Sequence, residues 1–223
     1  MMMKLRKLSP EIVKKFESFS TSNLSDALDR LGIAGGCQGI APLVPGVKMV
    51  GTAYTVRYVP VGAREGTVGD YIDDVLPGEV IVLDNNGRTD CTVWGDILTM
   101  TAKARGISGT VIDGVCRDIP TILAEQYPVF SRGRFMMTGK DRVTVEAVQV
   151  VVSLGRVQVK PGDILVGDDS GVVVVPREMA APVLEAAKAI EEAENFIVAA
   201  VKAGASLKEA RAKFGYHTLQ RKK

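Results

Sequence analysis

The chain has 223 residues, 46% hydrophobic and 24% charged, which suits a packed core and excludes disordered and fibrous classes. Twenty-eight basic residues against 26 acidic ones leave a formal charge of +2, so no overall field draws the chain to nucleic acid or to an anionic membrane. No stretch reaches the roughly 20 apolar residues a bilayer span needs, and the N-terminus has no apolar run of signal-peptide length. Cys37, Cys91 and Cys116 form no CxxC or CxxH pattern, so a cytoplasmic protein with reduced thiols is expected. The basic ends MMMKLRK and LQRKK read as solvated tails. The sole histidine, His217, excludes a Ser-His-Asp triad, a Cys-His pair or a multi-histidine zinc site within one chain. Carboxylates, arginine, lysine, backbone or a metal must carry any catalysis.

In chain order, LSPEIVKKFESF places Ser9 as N-cap and Pro10 at the first helical position, with apolar residues at Ile12, Val13, Phe16 and Phe19; this predicts an amphipathic helix. STSNLSDALDRLG predicts a second, capped by Ser22 or Asn23, with Leu24, Ala27, Leu28 and Leu31 on one stripe and Gly32 as the stop. Asp26 and Asp29 fall on its polar side and read as surface charges. From Pro45 the period changes to two, and VGTAYTVRYVPV predicts a strand. A short helix in GTVGDYIDDVLPG precedes the strand EVIVLDN. The stretches PGEVIVLDNNG (77–87) and PGDILVGDDSG (161–171) share a Pro-Gly turn, an acidic residue, an apolar strand and a closing glycine, and read as repeated turn-strand construction.

Residues 95–105 predict a helix, GTVIDG a buried strand and DIPTILAEQY a short helix. Strands are expected in YPVFSRGRF, VTVEAVQVVVSLGRVQV, DILVG and GVVVVP, and helices from Arg177 to Lys202 and in SLKEARAKFG. That order predicts an α/β fold with a mixed sheet or two sheets, and helices at both ends, rather than a doubly wound parallel sheet. No low-complexity linker interrupts residues 1–223, so one domain is expected. No GxGxxG follows a strand and no GxxxxGK[ST] occurs; the glycines of LGIAGGCQG and VPVGAREG read as loop geometry.

The stretch WGDILTMTAKARGISGTVIDGVCRD (94–118) gathers chemistry. Gly95 and Asp96 open a helix whose first amides favour an anion. A helix and return strand of this length can bring Asp96 to the sheet edge where Arg117 and Asp118 emerge. Arg117 would offer a planar fork to a carboxylate or keto oxygen, Asp118 a hard oxygen ligand, and Asp96 a hold on a water. With so few protein ligands, Mg2+ or Mn2+ retaining several waters fits better than zinc. The spacing alone leaves a structural alternative open, in which Asp118 caps the next helix, Asp96 favours its own helix dipole and Arg117 pairs with either. Lys48, Lys103 and Lys140 leave a Schiff-base route formally open without a setting that lowers a lysine pKa. Trp94 and Cys116, beside the site, read as core residues.

An aspartate, twenty intervening residues and Arg-Asp resemble the signature of the RraA-like family, which includes class II aldolases acting on 4-hydroxy-4-methyl-2-oxoglutarate. The resemblance runs through NLSDALDRLG, PGEVIVLDNNGRTDCTVWGD, GTVIDGVCRD, YPVFSRG and KPGDILVGDDSGVVVVP, a core of about residues 20–180, with a helical extension over about 177–217. It implies a swivelling β/β/α domain, assembled as a homotrimer or hexamer with sites between subunits. It also implies that backbone groups of Gly95, Asp96, Ile97 and Leu98 hold a pyruvate-like end, Arg117 binds its carboxylate or keto oxygen, Asp118 ligates Mg2+ or Mn2+, and Asp96 positions a water on the metal. The implied activity is retro-aldol cleavage of a 4-hydroxy-2-oxo acid, with oxaloacetate decarboxylation through the same pyruvate enolate. Thr121 departs from members with an acidic residue three positions after the Arg-Asp aspartate. Glu191, Glu192 and Glu194 are candidates for the glutamate such aldolases borrow from a neighbouring subunit. A second implication is a non-catalytic regulator that binds an RNA-degrading endonuclease.

Overall fold

A computed structural model of the chain describes residues 8–63 and 67–216. His217, both basic ends and part of VPVGAREG lie outside them. Helices α1 (Pro10–Lys15) and α2 (Thr21–Arg30) lead into β1 (Ala41–Pro42), β2 (Met49–Pro60), β3 (Glu79–Thr92), α3 (Asp96–Ala104), β4 (Gly109–Cys116), α4 (Ile119–Glu125) and β5 (Val129–Arg134). Then come β6 (Val143–Val148), β7 (Val152–Leu154), β8 (Val157–Val159), β9 (Ile164–Asp168), β10 (Gly171–Val175), α5 (Ala180–Lys202) and α6 (Leu207–Lys213). No helix among the described residues is long and apolar enough to cross a membrane.

Two helix ends refine the expectation. Ser9 caps α1 as predicted, but the α-helix stops at Lys15 and continues as a 3-10 turn, Phe16–Ser18. The α2 cap is Ser20, whose hydroxyl accepts from the Asn23 amide at 3.1 Å, rather than Ser22 or Asn23. Asp168 accounts for the earlier start: it accepts from the Thr21 amide at 2.8 Å and the Thr21 hydroxyl at 2.6 Å, which fixes Thr21 as the first helical residue. Gly32 stops the helix at φ +70°, in the left-handed region glycine tolerates best.

The mixed sheet expected from the element order is present. Strands β5, β4, β3 and β2 run parallel, while β9 and β6 pair antiparallel with the beginning and end of β2. Beyond them lie β10 and, on the far side, β1. Every residue of β4 is buried, as a central strand covered on both faces requires. One face packs Ile81, Leu83, Ile112 and Cys116 with Ala102 of α3 and Ile122 of α4. The other packs Val80, Val82, Val111 and Phe130 under the small β7–β8 sheet. A third cluster seats α1, α2 and α5 on β9 and β10; the α5 residues Val183, Ala186, Ala187 and Ile190 return at helical spacing. The two Pro-Gly turns share positive φ at Gly78 and Gly162, yet β3 runs parallel to β2 and β9 antiparallel, so their likeness is local turn chemistry.

Because β2 to β5 are parallel, their carboxyl ends share one edge, where side chains of successive loops meet. The start of β2 lies at the other edge, where Met49 pairs with Gly167 and the turn joining β9 to β10 sits.

Candidate active site

Three loops at the carboxyl edge are laced by their own backbone. The Arg117 amide donates to the Trp94 carbonyl at 3.1 Å, the Phe135 amide to Cys116 at 3.0 Å, and the Thr92 amide to Met137 at 3.0 Å. These bonds bring the Gly95–Leu98 segment against Arg117 and Asp118. Gly95 precedes α3 in an extended conformation open to any residue. What demands glycine there is space: an added Cβ would lie 2.5 Å from Asp118 Oδ2 and 3.3 Å from Arg117 Nε.

Asp118 occupies the left-handed region at φ 59°, ψ 40°, strained for most side chains but accessible to aspartate. It stands at the N-cap position of α4 without capping it. Its Oδ2 instead accepts from the Asp96 amide at 3.2 Å and faces Arg117 Nε at 3.2 Å. Asp118 is therefore not the cap of its own helix; it places negative charge at the start of α3, where the helix dipole favours it. The ion pair that Arg117 forms with Asp118 leaves the two side chains 39% and 33% exposed, open to a ligand.

Asp96 Oδ1 accepts from the Ile97 amide at 2.7 Å. Carboxylates thus already satisfy two of the amides at the start of α3, and an incoming carboxylate would replace one of them. Leu98 packs beside Gly69, where a Cβ would meet its side chain at 3.0 Å, so the turn after β2 flanks the site. Ile97 and Met136, 71% and 74% exposed, leave an apolar rim facing solvent.

The donor set suits a hard divalent cation. Among the described residues no three His, Cys, Asp or Glu groups gather to hold a metal by themselves. Asp118 is a partly exposed carboxylate in a cradle that a Cβ at Gly95 would fill. One protein carboxylate with waters and substrate oxygens is the coordination Mg2+ accepts, whereas structural zinc wants four protein ligands.

Lys48 is pinned to the Phe19 carbonyl at 2.7 Å, and Lys103 to Glu125 at 2.9 Å, so both act structurally. Trp94 is 2% exposed, donates to the Thr99 hydroxyl at 2.9 Å and stacks on Tyr127, a core role as expected. Burial pushes the Cys116 thiol up to about 12, which suits a core residue rather than a nucleophile.

Two features escaped the sequence. Asp113, 5% exposed on β4, pairs with Arg132 Nε and accepts from the Gly155 amide at 2.9 Å, tying the main sheet to the β7–β8 hairpin. Its signal was an acid inside the buried strand GTVIDG. Asp26 of α2 lies close enough to Glu194 of α5 to act on its charge: burial, Asp26 and Glu191 together raise the Glu194 pKa. The two are far apart in the chain, so no spacing announced the pair. Glu192 instead faces Lys188 at 3.9 Å along the helix surface.

A family model described as RraA-like, Aldolase/RraA, matches residues 21–174. Protein DlpA of Legionella pneumophila is 41% identical over 211 residues, covering 93% of this chain; the chain spans only 34% of the length of DlpA. A protein of Halalkalibacterium halodurans named "Putative 4-hydroxy-4-methyl-2-oxoglutarate aldolase" is 36% identical over 180 residues, 80% of this chain and 82% of that one. The crystal structure of Streptomyces coelicolor RraAS2, described as "an unusual member of the RNase ES inhibitor RraA protein family", superimposes with a TM-score of 0.78 at 30% identity, covering 86% of this chain and 98% of that one.

Proposed function

This chain belongs to the RraA-like family, and we propose that within it the protein is a divalent-metal-dependent lyase cleaving a 4-hydroxy-2-oxo acid. The observation that carries this reading is the Asp118 carboxylate, turned away from its own helix and held beside Arg117 at the start of α3. Asp118 would hold Mg2+ or Mn2+, which when bound supplies Lewis acidity to the 2-oxo acid. Arg117, with a rigid fork of donors, binds the carboxylate or keto oxygen and stabilises negative charge developing there. Backbone groups of Gly95 to Leu98 orient the same end of the substrate. Asp96 orients the water that accepts the C4 hydroxyl proton. The C3–C4 bond then breaks, its electron pair goes to C3 as a pyruvate enolate, C4 leaves as a carbonyl, and a proton returns to C3. Oxaloacetate losing CO2 gives the same enolate, so one site supports both reactions.

The site is exposed in a single chain, whereas this chemistry is favoured when bulk water is kept out. A second copy would cover it. Of the expected candidates, Glu194 is singled out by its partial burial beside Asp26, and this acidic pair complements the charge of Arg117. Asp26 lies near the β9–β10 turn at the opposite edge of the sheet, since Thr21 is bonded to Asp168. At that edge the pair would act in a neighbour's site rather than its own, through head-to-tail contacts of the kind that close into rings such as trimers or hexamers.

Purified protein incubated with Mg2+ and oxaloacetate, with pyruvate followed, is the test, and Asp118→Ala is expected to abolish both turnover and Mn2+ binding. Absence of metal-dependent turnover with any 2-oxo acid would favour the second reading, a regulator that binds an RNA-degrading endonuclease, which the likeness to Streptomyces coelicolor RraAS2 supports.

A further inference from the structure

Two arginines that take no part in the Asp118 cradle meet where the β7–β8 hairpin rests on the main sheet. The guanidinium of Arg132 is fixed through Nε, which donates to Asp113 Oδ1. It lies between two turns whose glycines leave it room: a Cβ at Gly39 would stand 2.7 Å from Arg132 Nη1, and one at Gly87 would stand 3.5 Å from Nε. Among the described residues nothing accepts from Nη1 or Nη2, and the side chain is 27% exposed, so the unused end of the fork is within reach of a ligand. The Gly39 amide, beside Nη1, likewise donates to no described group.

The second arginine comes from the hairpin turn. The Gly155 amide donates to Asp113 Oδ2 at 2.9 Å, so this turn and Arg132 share one carboxylate, and the Gln38 amide donates to the Gly155 carbonyl at 3.0 Å. The next residue, Arg156, is exposed and has no partner among the described residues. Gly155 and Arg156 form the two-residue link between β7 and β8, both with positive φ, +53° and +71°. Glycine adopts that backbone freely, whereas an arginine loses stability in it. The chain thus carries a cation where local backbone preference favours a residue without a side chain. Asp113 has both oxygens engaged, and Asp84, its register partner on β3, accepts from the Asn86 and Ser153 amides at 3.0 Å each. Each Asp84 oxygen therefore already holds a backbone donor, and neither carboxylate pairs with Arg156 or with the Nη atoms of Arg132.

We infer that Arg132, Arg156 and the Gly39 amide form a binding site for the phosphate group of a small ligand, built from residues other than those of the Arg117–Asp118 centre and independent of the lyase reading. One fork saturates a planar carboxylate. A tetrahedral phosphate presents three oxygens, which donors arriving from β5, the hairpin turn and the Gly39 turn meet together. Because Asp113 already holds the Arg132 guanidinium in place, little side-chain freedom is lost on binding.

Isothermal titration calorimetry of the full chain without added metal, with inorganic phosphate, glycerol 3-phosphate and acetate as probes, tests the site. Saturable binding of one phosphate per chain with a Kd of about 1 mM or tighter is expected, and acetate at least about tenfold weaker. Tighter binding of the monoester points to an esterified ligand and the reverse order to the free ion; either supports the site. Arg156→Gly, which removes the cation and relieves the backbone, and Arg132→Lys, which keeps a charge facing Asp113 but loses the fork, should each weaken phosphate by at least about tenfold. Arg117→Ala should leave it within about twofold, which separates this site from the lyase centre. Should Arg132→Lys fail to fold, Arg156→Gly decides alone, its Tm being expected at or above that of the parent protein. Phosphate binding that is absent, is matched by acetate, survives Arg156→Gly unchanged or disappears with Arg117→Ala would overturn the assignment.

Discussion

Replacing Gly95 with alanine tests the site by crowding alone, because the backbone there is extended and an alanine adopts it without strain. The new Cβ would lie 2.5 Å from Asp118 Oδ2, and real Cβ contacts essentially never fall below 3.0 Å, so the carboxylate must retreat by at least 0.5 Å. Added to the present 3.2 Å, that stretches the bond from the Asp96 amide to 3.7 Å, beyond hydrogen-bonding range. Losing one partly exposed, charge-assisted bond costs about 1 kcal/mol, so Tm falls by roughly 2–4 °C for a chain of this size. Activity is far more sensitive, since a shift approaching 1 Å in a positioned group costs on the order of 10²-fold. The assays are Mn2+ binding by electron paramagnetic resonance, oxaloacetate decarboxylation and thermal melting. Weakened metal affinity and a tenfold to hundredfold fall in kcat/KM, with a small change in Tm, are expected. Metal affinity and turnover within twofold of the parent protein, while Asp118→Ala loses both, would refute the cradle.

Arg117→Lys replaces a planar fork with a point charge and is expected to raise KM for oxaloacetate about 10- to 100-fold, with Mn2+ affinity largely kept; steady-state kinetics beside a metal titration checks the split. Burial, Asp26 and Glu191 raise the Glu194 pKa, so its stabilising contribution is complete below the ordinary carboxylate pKa and is lost as pH rises through the raised one. Glu194→Gln should therefore gain stability relative to the parent protein as pH rises from 4 toward 7, and urea unfolding at several pH values reads this directly; a difference independent of pH would contradict it. Asp113→Ala leaves Arg132 without its partner and the Gly155 amide without its acceptor, and should cost about 3–5 kcal/mol in urea unfolding.

The alternation of VGTAYTVRYVPV, the Ser9-Pro10 start and the glycine stop at Gly32 made most elements readable, because each rests on local backbone preference and apolar periodicity. The α2 start shifted because Asp168, remote in the chain, bonds Thr21; no local window contains that contact. Similarly, the spacing of Asp96 from Arg117-Asp118 announced a shared edge, but not which amide Asp118 would engage. The left-handed backbone at Asp118 settled that, and nothing in the dipeptide forecasts it. Asp26 looked like an ordinary surface charge because its significance comes from α5, brought alongside α2 only by the third core cluster.

The parallel run of β2 to β5 gathers Gly95, Asp96, Arg117 and Asp118 at its carboxyl edge, while α2 and the β9–β10 turn lie at the start of β2. The carboxyl-edge loops are tied to one another by their own backbone hydrogen bonds, so substitutions in α2 and that turn can accumulate without displacing them.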